Sequence, residues 1–73
     1  MISEQRQEAL RVLQELCELA PDVRLGQLFA HIGFMGEALH GPSLGYIEDD
    51  ELLAVLYQHR AELLNRDSPI PTA

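Results

Sequence analysis

The stretch Gly45 to Leu56, GYIEDDELLAVL, constrains this chain more than any other. A turn glycine and the pair Tyr46-Ile47 lead into four consecutive acids, Glu48, Asp49, Asp50 and Glu51, and then into leucines at helical spacing. Backbone N–H groups at a helix start are unpaired and carry partial positive charge, so a run of carboxylates belongs in a first turn. With Glu48 as the cap, Ile47 precedes it and Leu52 is the fourth helical residue. That is the spacing of a hydrophobic staple, which fixes how the chain enters the helix. The helix that follows has Leu52, Leu53, Val55, Leu56, Leu63 and Leu64 on its buried side, with Tyr57 and Ala61 contributing. Gln58, Arg60 and Glu62 face water. Asn65 offers a left-handed cap, and Arg66 suits the negative end of the dipole. The remaining segment, 67–73, has no periodicity and reads as a disordered tail.

Upstream, Ser3 is an N-cap with Glu4 in the first turn. Ala9, Leu10, Leu13, Leu16, Cys17 and Ala20 recur at three- and four-residue spacing, and Val12 and Leu19 widen that face. Arg11 and Glu15 stand one turn apart on the polar side and can pair. Pro21 ends this helix. Asp22 can cap a second one beginning near Val23 or Arg24, with Leu25, Leu28, Phe29, Ile32 and Met35 as its stripe and Phe29 and Phe34 as its bulkiest residues. A helix apolar on most of its circumference belongs in the middle of a bundle or under a partner. Gly26 costs about 1 kcal/mol relative to Ala inside it, which close approach of another helix would offset. Gly33 and Gly36 loosen its end, and the helix is expected to stop between them. Residues 37–45 then read as a loop punctuated by Gly41-Pro42 and Gly45, with room for one helical turn around Glu37 to Leu39. The sequence therefore predicts an all-α, three-helix domain over 1–66, with helices near 3–20, 23–36 and 48–65, the outer two covering the middle one.

Composition narrows the function. A chain of 73 residues makes one small core, and a core of this size seldom supplies more than roughly 3–5 kcal/mol, which favours association. No stretch approaches the ~20 apolar residues that span a bilayer, and the polar start MISEQRQEAL is not a signal peptide. The single Cys17 cannot form an internal disulfide; it reads as a small core hydrophobe in a reducing, cytoplasmic setting. The net charge is −7, with five Arg and no Lys. Such a surface repels phosphate backbones, which argues against direct nucleic-acid binding and suits a basic protein partner. No two of His31, His40 and His59 stand at i, i+3 or i+4, so no helical metal pair is expected, and no cofactor is assigned. Ser43, Cys17 and the histidines form no nucleophile elbow or Cys-His signature. Consecutive acids on a helix start radiate and do not converge on one substrate atom. The chain is accordingly read as not an enzyme.

Two resemblances attach to these residues. GYIEDDEL resembles the second half of an EF-hand calcium loop, which implies a sharp turn at Gly45, a short strand at Ile47, a bidentate ligand in Glu51 and a water-mediated one in Glu48. The positions of the early oxygen ligands are held by His40, Pro42 and Leu44, which carry no carboxylate. An acid-rich helix start explains the same residues without an ion. Arg24, Gly26, Gln27 and Leu28, together with Tyr46 to Leu53, resemble the R-x-G-Q-L and Y-I-E-D-D-E-L-L motifs of a group of short uncharacterised bacterial proteins. That resemblance implies a small soluble protein and brings no activity with it. It would make Arg24, Gly26, Gln27, Glu48, Asp49, Asp50 and Glu51 a joint feature. Separately, a cation in the first turn of a helix is unfavourable, so Arg24 is expected to bridge to Asp49, Asp50 or Glu51 or else to stand in solvent. The leading functional expectation is a protein–protein interaction module, an accessory or regulatory subunit binding another protein or itself as a homodimer. The alternative is an acidic, antitoxin-like inhibitor that masks a basic nucleic-acid-binding surface, and a degenerate calcium binder comes third.

Overall fold

The computed structural model describes residues 3–67: α1 (Glu4–Leu19), α2 (Leu25–His40), a single 3-10 turn (Leu44–Tyr46) and α3 (Asp49–Asp67). The expected tail lies outside the described residues except for Asp67, which ends α3. Arg6 meets Asp49 and Glu15 meets Arg60, both at 3.0 Å, so α1 and α3 run in the same direction. His40 lies against Glu51 and His31 against His59, so α2 runs opposite to α3.

The core joins Val12, Leu16 and Ala20 of α1, Leu28, Ile32 and Met35 of α2, and Val55, Leu56 and Leu63 of α3. Full burial of each large aliphatic side chain stabilises by about 1.5–3 kcal/mol. On α1 the inward stripe is Ala9, Val12, Leu13, Leu16, Leu19 and Ala20. Leu10 and Cys17, expected inside, are exposed. They stand seven residues apart on one edge of the helix, and the true stripe is rotated away from that edge toward Val12, which is 0% exposed.

The expectation that the outer helices sandwich α2 is overturned. It is α3 that lies between its neighbours, with α1 packed chiefly against it and α2 along another side. Buried and half-buried residues of α3 (Leu52, Leu53, Val55, Leu56, Tyr57, Leu63) spread over two faces, which takes two neighbours to cover. Leu64 and Ala61, assigned to the buried side, are exposed, while Arg60 is half-buried against Glu15. By contrast α2 buries only a narrow stripe, Leu28, Ile32, Met35 and Gly36. Its bulkiest residues fall off that stripe: Phe29 is 41% and Phe34 74% exposed.

The glycines of α2 also behave differently from expectation. A Cβ on Gly26 would meet nothing within 4 Å, so no helix approaches there. The close approach is at Gly36, where a Cβ would stand 3.0 Å from Ile47 Cδ1. Gly33 faces Leu44 in the same way, its Cβ position 3.5 Å from that side chain. The helix therefore does not stop between Gly33 and Gly36 but continues to His40, because these glycines form the trough in which the returning 3-10 turn and Ile47 pack. The stop comes at Gly41, whose φ of 100° closes the helix with its N–H on the Glu37 carbonyl. At the other end of the fold α3 runs past Asn65 to Asp67, and no non-glycine residue among those described has positive φ, so the expected Asn65 cap is not formed.

Candidate functional site

The six residues singled out in the sequence divide into two groups at opposite ends of the bundle. Arg24 and Gln27 begin α2, whereas Glu48, Asp49, Asp50 and Glu51 begin α3. The start of α3 lies beside His40 at the end of α2, Nδ1 of His40 being 3.5 Å from Glu51 Oε2. Arg24 is sixteen residues earlier on that helix, roughly 24 Å along its axis. The expected bridge from Arg24 to the acids is thus not made. Asp49 pairs instead with Arg6 at 3.0 Å, both side chains well exposed. Nor does Glu15 pair with Arg11; it accepts from Arg60, whose guanidinium carbon lies 4.9 Å from the centre of the Tyr57 ring.

Each group serves its own helix start with the same device. Arg24, not Asp22, is the N-cap of α2, and its N–H donates to Gln27 Oε1 at 3.1 Å. The Glu48 N–H donates to Glu51 Oε1 at 3.2 Å, and the Glu48 carbonyl accepts from the Leu52 N–H at 2.8 Å. These are the return halves of capping boxes, in which the third helical side chain satisfies the cap's own donor. Asp50 adds a contact to the Glu51 N–H at 2.9 Å. Glu51, which the EF-hand resemblance would turn toward calcium, is divided between the Glu48 backbone and the His40 imidazole. Ile47 sits in extended conformation after the 3-10 turn, and it and Leu52 pack against the core.

Two surface features lie away from these residues. One is an apolar cleft of about 180 Å³, lined by Leu10, Leu13, Phe29, Ile32, Leu44 and Leu56 among others. It opens where α1, α2 and the 3-10 turn approach α3, and exposed Leu10 and Phe29 sit on it. Elsewhere Phe34 and Leu39 are exposed and line a cleft with His31, Gln58 and Glu62, and Tyr46 in the turn is 79% exposed.

The other is a cleft of about 440 Å³ between the start of α2 and the end of α3, whose lining includes His31, His59, Glu62 and Arg66. The two imidazole rings stand 4.5 Å apart, centre to centre, tilted by 52°. His59 Nδ1 is 3.5 Å from Glu62 Oε1, beyond good hydrogen-bond length, and is shielded from water without a hydrogen-bond partner. Burial holds the His59 imidazole below its ordinary pKa; nearby Glu62 opposes this, while His31 and Arg66 add to it. Spacing along single helices could not find this cluster, because His31 belongs to α2. The legible part was His59 and Glu62, three residues apart and so on one face of α3.

The described residues define a small all-α protein of three helices, and none of those helices is long and apolar enough to cross a membrane. Compared with protein families, curated proteins and solved structures, the chain matches none.

Proposed function

We propose that the chain is a non-enzymatic interaction module, a small accessory or regulatory subunit that binds another protein or a second copy of itself. The observation that supports this most is the number of exposed large apolar side chains on α2 and the adjoining turn. Phe34, Leu39 and Tyr46 are 74%, 48% and 79% exposed, and Leu25 is 54% exposed on the same helix. Exposed aromatic side chains such as Phe34, which lines a cleft with Leu39, suit an association surface, since each gives large contact area at small entropic cost. The reading includes a bacterial cytoplasmic setting, in which the exposed thiol of Cys17 stays reduced.

The test uses Phe34→Asp and Tyr46→Ser, two changes at exposed positions that leave the core intact. Solution mass by light scattering across a concentration series reports self-association, and capture from lysate with wild-type and variant baits reports other partners. A dimer, or a captured protein, that both variants abolish supports the reading. A monomer whose captured proteins are unchanged by either variant refutes it. Salt then separates the acidic-inhibitor alternative: binding through carboxylates weakens steeply as salt rises, and binding through an apolar surface hardly changes.

A further inference from the structure

We propose that His31, His59 and Glu62 form a binding site for a borderline divalent cation of the zinc type, joining α2 to α3 at the end of the bundle remote from the acidic helix start. The ligand atoms that these three side chains offer all lie within 4.8 Å of one another. Ligands around a tetrahedral zinc are about 3.3 Å apart, given metal–nitrogen distances of about 2.0–2.1 Å. Closure by about 1.5 Å is therefore required. It is within reach of small rotations, because His31 and Glu62 are exposed and free to swing while His59 is held by its surroundings.

Two features of the cluster favour an ion over a solvated trio of polar groups. First, the imidazoles come from different helices, so the pairing is made by the helix crossing and persists as long as the fold does. Second, His59 Nδ1 is shielded and without a hydrogen-bond partner, a cost that falls if that nitrogen itself takes the metal. Two nitrogens and one carboxylate oxygen suit zinc, copper or nickel and do not suit calcium or magnesium, which need more oxygen ligands. Arg66 lines the same cleft and opposes a cation, against which the Glu62 carboxylate supplies the compensating charge. Three protein ligands leave a coordination position for water at the mouth of the cleft.

The site adjoins Phe34 and Leu39, which line a cleft with His31 and Glu62, but its test reads a different property from association. Chelator-treated protein is titrated with zinc chloride while melting temperature and imidazole resonances are followed. At ten times the dissociation constant the melting temperature should rise by about 5–10 °C. The His31 and His59 resonances should shift together, and that of His40 should stay. His31→Ala and Glu62→Gln, both at exposed positions, should each weaken zinc at least about tenfold with the unliganded melting temperature nearly unchanged. The proposal is overturned if about 0.1 mM zinc moves neither observable, if the zinc response survives His31→Ala, or if calcium produces the same stabilisation.

Discussion

Replacing Gly36 with Val is the most discriminating change to make in this fold. A Cβ there would sit 3.0 Å from Ile47 Cδ1 and 3.9 Å from Val55 Cγ2. Valine adds two further carbons beyond that Cβ, and the trough that receives Ile47 cannot hold them without displacing the chain that enters α3. Overpacking of this kind costs about 1–3 kcal/mol. Exchange of Gly for Val inside a helix returns about 0.4 kcal/mol of that through helix propensity. The net loss is about 0.6–2.6 kcal/mol, a fall in melting temperature of roughly 3–20 °C for a domain of this size. Urea and thermal melts measure it, with an unchanged urea slope showing that the unfolded state is not the origin. The partner is identified by adding Ile47→Ala. Because Ile47 Cδ1 is the clashing atom, the double variant should lose less than the sum of the two single losses, by at least about 0.5 kcal/mol. A Gly36→Val protein as stable as wild type, or strictly additive losses, would refute the close approach and the trough built on it.

Three other outcomes follow from the same geometry. Gly26→Ala should stabilise by up to about 1 kcal/mol, since the new methyl meets nothing and the unfolded chain loses freedom; a lower melting temperature would show a hidden neighbour. Arg6→Ala should change stability by no more than about 1 kcal/mol, and the change should vanish in high salt, because the pair with Asp49 is exposed; a larger, salt-insensitive loss contradicts that placement. The pKa of His59 is lower in the folded than in the unfolded state, so below pH ~6.5 the unfolded chain binds more protons. Stability contributed by the neutral ring is thus full above that pH and declines as pH falls toward the lowered value. Urea melts in the presence of a chelator between about pH 7.5 and 5.5 should show a steeper decline for wild type than for His59→Gln, and parallel curves would exclude His59 as the source.

What the sequence revealed was whatever neighbouring residues decide among themselves. The start of α3 was legible because Ile47, Glu48, Glu51 and Leu52 lie within six positions, and cap and staple are local. Ser3, whose hydroxyl accepts from the Arg6 N–H at 3.3 Å, was legible for the same reason. Misreadings arose where a partner distant in sequence decides. The apolar residues all round α2, Phe29 and Phe34 among them, point to a central helix, although the packing follows only Leu28, Ile32 and Met35. Gly33 and Gly36 look like breakers until Leu44 and Ile47 are seen above them. Arg24 looks like an unpaired charge in need of the acids until its own backbone is found held by Gln27. The histidine cluster was wholly illegible from His spacing, since 28 positions separate two rings that the crossing of α2 and α3 brings together.

The parallel alignment of α1 and α3 has a consequence for how the molecule is made. Tyr57 donates to Glu8 across 49 positions and Arg60 to Glu15 across 45, so α1 is matched to a helix synthesised well after it. While the ribosome is still adding the middle of the chain, the aliphatic stripe around Val12 and Leu16 has no lasting cover. Chains cut short before Asp49 should stay open to proteases and be held by chaperones, and folding completes in one late step as α3 arrives.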